Sequence, residues 1–368
     1  MICNFNQRLR SFRRSPNKPA VLLYFLYELR EIMGLWMVLF SKRFMRNKVK
    51  PHGKVNLAGQ RFALFGIHRS GWNYAVKCLL PLHHPDGILL DTFIERTFLY
   101  LPNKAKPHLK PWLGIIHIPH KTPEWYFPEK SNRSLFNSTA WKESYPYCKG
   151  LFTLSAYHQQ HLMKELDIPI DRLWHPTEIP EMTWSWDRFS RNPDKKIIQI
   201  GFWLRKLHSI FLLPPVPFRK VMLLKQDADV DTLMKLEFQH LPQNDLLTQE
   251  ALRSVTKIQH ISNRNYDIWL SENIVFLDLY DASANNTIIE CMARNTPVLV
   301  NPIEPVVEYL GAEYPLYYQS LREADDKVSD SNQILSAYNY LKNHPKKYRL
   351  KGDFFLKCLI QSRIYQGI

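Results

Sequence analysis

Residues 273–301 constrain the fold most, because they carry three local signals in one short run. Residues 273–279 form an apolar run of strand length. A polar turn follows at Ser283, Ala284, Asn285, Asn286 and Thr287. Apolar residues then recur at Ile288, Ile289, Met292 and Ala293, the spacing of one helix face. Asn295, Thr296 and Pro297 end that helix, and Val298, Leu299 and Val300 are too short and apolar for anything but an interior strand. Strand, polar turn, helix and strand in this order make an α/β unit. The free amides and positive dipole end of its helix face the polar turn, where a phosphate binds readily. Glu290, in the opening turns of the same helix, is placed to accept hydrogen bonds from a ribose diol.

The segment resembles the nucleotide-sugar site of GT-B glycosyltransferases, especially the retaining group that carries two spaced glutamates, an alanine-rich helix and Gly-Thr-Pro. Glu290 falls on the second glutamate, and Asn295-Thr296-Pro297 on the Gly-Thr-Pro. Ala282 stands where that group has its first glutamate and Asn285 where it has a glycine, so the first glutamate's role does not carry over. The resemblance implies an α/β chain of two Rossmann-like domains facing a cleft. The second would bind a nucleotide-sugar donor and the first a glycan or other hydroxyl acceptor.

The rest of the chain fits that layout. A first alternating series predicts strands over 61–65, 87–90, 113–116 and 150–154, a helix over 72–80, and a helix from Ser155 to about 166. A Pro- and Trp-rich crossing runs to Pro193. A second series predicts strands over 195–200 and 220–225 and helices over 248–255 and 266–270, with helices over 335–343 and 354–365 at the end. The expected domains are a basic helical extension over 1–55, an acceptor domain over 56–180, a donor domain over 190–345 and a closing helix over 346–368.

Candidate donor residues gather at two loops. Gly201 opens the loop after the first strand of the second series, and Arg205 and Lys206 are its cations. In the resembling enzymes such residues neutralise the donor pyrophosphate, and fixed cations lower the barrier to a leaving diphosphate. Asn285, Asn286, Thr287 and Glu290 form the other loop. On the acceptor side His68, Asp91, Glu95 and His117 follow predicted strand ends, where open α/β sheets place ligands, and each is a side chain able to deprotonate a sugar hydroxyl. Asp227, Asp229 and Asp231 read as a solvated turn and helix cap, so no metal or other cofactor is expected.

Two rival functions share these residues. The loop Gly66-Ile67-His68-Arg69-Ser70-Gly71 resembles the phosphosulfate loop of sulfotransferases, although it lacks a following Thr and a P-loop lysine. A degenerate GT-B-like binding protein is the other rival, favoured by the missing first glutamate.

Charge separates further classes. Of the net +15, residues 1–50 hold eleven Lys/Arg against two Glu. A nucleic-acid binder needs such charge along a folded surface, so none is expected as a partner. The same arm carries an apolar stretch over 20–40, broken by Glu28, Arg30 and Glu31, which suits a helix lying at a membrane surface or packed on the protein better than a spanning one. Five scattered cysteines without metal spacing suit a reducing compartment, so a cytoplasmic protein with possible peripheral membrane contact is expected.

Overall fold

The computed structural model describes residues 53–60, 71–100, 105–224, 228–241 and 247–368. The expected N-terminal extension up to residue 52, the expected strand over 61–65, His68 and Asp227 lie outside the described residues. Residues 53–368 form one compact unit.

Two parallel five-stranded sheets organise it. The first has strands β1 (Val55–Asn56), β2 (Ile88–Asp91), β3 (Trp112–Ile115), β4 (Cys148–Thr153) and β5 (Ile170–Arg172), paired in sequence order. The second has β6 (Lys196–Ile200), β7 (Arg219–Leu223), β8 (Val255–Ile258), β9 (Ile274–Leu277) and β10 (Val298–Val300), in the order β10-β9-β6-β7-β8. The order runs outward from β6 in one direction through β7 and β8 and in the other through β9 and β10. The reversal point between β6 and β9 leaves a crevice beyond their carboxyl ends, where such sheets bind ligands.

Strand β9 forms because its residues are apolar on both faces: Ile274, Val275, Phe276 and Leu277 are all fully buried. Val298, Leu299 and Val300 are as fully buried, yet β10 is an edge strand and not the interior one expected; backbone hydrogen bonds between Val300 and both Leu316 and Tyr318 cover its outer side. Helix α1 (Trp72–Leu79) buries Trp72, Ala75, Val76 and Leu79 against the first sheet. Helix α2 (Ala156–Glu165) begins as expected at Ser155, whose Oγ accepts the His158 amide at 3.3 Å. Helices α3 (Ala228–Gln239), α4 (Gln249–Arg253), α5 (Asn263–Glu272), α6 (Asn286–Arg294) and α7 (Glu304–Leu310) cover the second sheet.

Three differences from the sequence reading stand out. The helix expected over 248–255 stops at Arg253, and Val255 opens β8. Ile170–Arg172 and Val55–Asn56 are strands where no strand was expected. The helix expected over 354–365 is two, α8 (Gly352–Gln361) and α9 (Arg363–Gln366), because Ser362 takes a β conformation and caps the second through the Tyr365 amide. Phe355, Leu359, Ile364 and Tyr365 carry this pair back into the core of the first sheet, beside Trp72 and Leu90.

Candidate functional site

Helix α6 forms as the sequence dictates. Asn285 is its N-cap, with Oδ1 accepting the Ile288 amide at 3.2 Å. Asn295 ends it in the left-handed conformation at φ 63°. Its N-terminus therefore stands at the carboxyl end of β9, on one side of the crevice.

The Gly201 loop forms the other side. Gly201 sits at φ 77°, and a Cβ there would lie 3.3 Å from the Arg205 guanidinium carbon, so the glycine supplies both the turn and the space. The guanidinium folds back under the loop, donating to the Ile200 carbonyl at 3.1 Å and the Trp203 carbonyl at 2.6 Å. Its Nη2 reaches Asn285 Oδ1 at 3.4 Å and Thr287 Oγ1 at 3.3 Å. None of these four partners is charged. Burial lowers its pKa to about 10, still far above neutrality, so the group stays cationic. A half-buried, partly desolvated cation beside the positive end of a helix is doubly unfavourable by itself. An anion arriving between them relieves both terms.

The remaining donor-side residues separate. Lys206 pairs with Asp278 at 2.9 Å, and Asp278 also accepts Ser209 Oγ at 2.7 Å, so this ammonium is already neutralised. Asn286 is half-buried in the first turn of α6. Glu290 is buried one turn deeper, and its Oε2 accepts the Tyr266 hydroxyl at 2.5 Å. Burial, and then the Glu290 charge, raise the Tyr266 pKa, which keeps that hydroxyl a donor. Glu290 thus stands behind Arg205, and its charge favours the guanidinium's cationic form.

Across the crevice, the loop after β3 brings Glu95 and His117 together. Glu95 Oε1 accepts the amides of His117 at 2.5 Å and Ile118 at 2.7 Å, while Oε2 has no hydrogen-bond partner among the described residues. Burial raises this carboxyl's pKa to about 7. His117 lies 3.0 Å from the Thr92 carbonyl through Nε2; since a carbonyl only accepts, the neutral ring carries its lone pair on Nδ1. Burial between Trp72 and Phe93 lowers its pKa to about 3. Asp91 is engaged elsewhere, with Oδ2 3.0 Å from His108 Nε2 and Oδ1 accepting the Phe93 amide. His68 and residues 66–70 of the rival phosphosulfate-like loop lie outside the described residues.

Sequence reading missed the residues that join the two rims. Tyr126, from the first half, donates to the Phe202 carbonyl at 3.1 Å and accepts the Leu204 amide at 2.5 Å, fixing the Gly201 loop. Asp281 and Ser283 lie in the polar turn itself and reach the first half. Their place in that turn was a signal; their partners, more than a hundred residues away, were not. Among the described residues no group of three or more His, Cys, Asp or Glu is placed to hold a metal ion, and no helix is long and apolar enough to cross a membrane.

No family profile matches the chain. No curated protein matches it in sequence. Solved structures do match its fold. Sucrose-phosphate synthase from Thermosynechococcus elongatus aligns with 76% of this chain and 73% of its own, at 11% identity and a TM-score of 0.54. A structure titled as trehalose-6-phosphate from E. coli, bound with UDP-2-fluoro glucose, aligns with 80% of this chain and 76% of its own, at 13% identity and a TM-score of 0.51. The apo structure of OtsA covers 82% and 79%, at 12% identity and a TM-score of 0.50. At these identities the likeness speaks for architecture: the chain has the GT-B fold, two Rossmann-like sheets whose carboxyl-end loops meet.

Proposed function

We propose that this chain is a glycosyltransferase, moving a sugar from a nucleotide-sugar donor to a hydroxyl of a glycan or other acceptor. The observation that carries the reading is the Arg205 guanidinium, half-buried with uncharged hydrogen-bond partners at the N-terminus of α6 and at the sheet's reversal point. Donor binding by a similar fold supports it, since one of the matching structures holds UDP-2-fluoro glucose.

In this reading the diphosphate lies between Arg205 and the first amides of α6, with Asn285, Asn286 and Thr287 around it. Glu290 stands behind Arg205, held by Tyr266, and keeps the guanidinium cationic; it would meet a ribose only if donor binding opens its pocket. In transfer, the bond from the anomeric carbon to the diphosphate oxygen breaks and the acceptor oxygen bonds to that carbon. The leaving diphosphate takes the electron pair, and Arg205 stabilises its developing charge. We assign the acceptor proton to Glu95, whose Oε2 has no hydrogen-bond partner among the described residues and whose pKa near neutrality suits a base; the carboxyl is fully buried, so acceptor binding must uncover it, with His117 beside it lining the acceptor side. Lys206 is the weaker candidate for the diphosphate, because Asp278 already holds it.

No metal is needed in this scheme, because Arg205 and the helix amides supply the charge. The protein would act in the cytoplasm, touching anionic membrane through the basic arm of residues 1–50 and binding no nucleic acid. The test is a thermal-shift panel on the full chain with UDP, GDP, ADP and adenosine 3′,5′-bisphosphate. A nucleoside diphosphate at a competent site raises the melting temperature by mass action. A shift with the bisphosphate alone would favour the sulfotransferase instead.

A further inference from the structure

The first turn of α2 is where the second half grips the first. The amides of Ala156 and Tyr157 donate to the Glu308 carboxylate at 2.8 and 3.3 Å. The Tyr157 hydroxyl donates to Asp281 Oδ2 at 3.2 Å, and His158 Nδ1 lies 3.0 Å from Ser283 Oγ. Three consecutive residues of one helix thus meet three different side chains of the other half.

Asp281 does more than its neighbours. The same Oδ2 accepts the Lys121 amide at 2.6 Å, and Oδ1 accepts the Ala282 amide at 2.8 Å. The residue is 4% exposed, so water does not substitute for these donors. On one side the chain runs from Asp281 through Ser283 to Asn285, the N-cap of α6. On the other, Lys121 ends the loop that carries His117. The far end of that loop is held by Glu95, through the amides of His117 and Ile118, and by Asn132, which donates to the carbonyls of Ile118 and Pro119. The acceptor-side loop is therefore fixed to its own half at one end and to the donor-side loop at the other.

We propose that Asp281 is a positioning residue that couples the two rims, so that occupancy of the α6 N-terminus orders the loop over 117–122. The inference rests on the donor reading above. A ligand that pulls Asn285 and Thr287 toward it also shifts the turn that starts at Asp281. Because Asp281 binds the Lys121 amide directly, that movement reaches the His117 loop in one hydrogen bond.

Hydrogen–deuterium exchange of the full chain, with and without UDP, tests this. In the wild type, UDP is expected to slow exchange over 286–289 and also over 117–122. In Asp281→Ala, UDP still protects 286–289, but the protection of 117–122 is lost. A merely structural tie would raise exchange over 117–122 in both states and leave the UDP-induced difference intact, which would overturn the proposal. If Asp281→Ala does not fold, Asp281→Asn serves, since its amide nitrogen opposes one of the same donors. If no nucleotide protects the wild type, the donor reading fails, and a ligand-free comparison decides the coupling. Asn285→Ala should then speed exchange at Lys121 in the wild-type background but not in Asp281→Ala; an equal effect in both refutes the coupling.

Discussion

Replacing Glu95 by glutamine should make the protein's stability less dependent on pH. The folded carboxyl titrates at about 7 against an ordinary 4.5, because burial disfavours its charge. The folded state therefore holds a proton that the unfolded chain has released between these values, and stability falls as pH rises through that window. A difference of this size corresponds to about 3 kcal/mol, fully present as a cost above about pH 7 and absent below about pH 4.5. The amide of Glu95→Gln would keep an oxygen for the His117 and Ile118 amides and cannot ionise, so only the pH-dependent part disappears. Urea unfolding of both proteins at about pH 5 and about pH 8.5 measures it: the variant should gain on the wild type by roughly 2–3 kcal/mol between the two. A constant difference between the proteins across that range would refute the burial argument. In the transfer reaction the same titration has the opposite sign. The wild-type rate should climb as Glu95 loses its proton near neutral pH, and the variant should be slow throughout.

Other perturbations probe the donor side. Glu290→Ala should weaken nucleotide binding by roughly 1.5–3 kcal/mol and, because it removes a buried acceptor of the Tyr266 hydroxyl, lower stability as well; calorimetry and denaturation read the two separately. Gly201→Ala forces a side chain into a left-handed position against the Arg205 guanidinium, which should cost about 1 kcal/mol of stability or more and weaken nucleotide binding in the same preparations. Chelation with EDTA should leave transfer intact; activity lost in EDTA and restored by Mn²⁺ would instead favour a metal-dependent mechanism.

What the sequence revealed follows from where each element lies. Strand β9 was legible because burial on both faces demands continuous apolar residues, and β10, although at an edge, because its three residues are as fully buried. The overlooked strands β1, β5 and β8 are all edge strands. Val255–Ile258 shows why, since Thr256 and Lys257 face solvent and interrupt the pattern. The donor loops were legible because Gly201, Asn285 and Thr287 act locally, through turn geometry and a helix cap. The pairing of Lys206 with Asp278 and the engagement of Asp91 by His108 depend on partners brought near by folding. Tyr126 had no local signature for the same reason, and for Asp281 only its place in the turn was visible, since its partners Lys121 and Tyr157 come from the other half.

The central claim is that Arg205 and the N-terminus of α6 form a diphosphate site. Calorimetric titration of the full chain and of Arg205→Met with UDP, GDP and ADP tests it most directly. The account predicts that at least one nucleoside diphosphate binds the wild type at a single site. It also predicts that Arg205→Met weakens this by about 10–100-fold, the loss of charge-assisted hydrogen bonds worth roughly 1.5–3 kcal/mol. Undiminished binding in the folded variant, or no binding of any of the three nucleotides to the wild type, would contradict it.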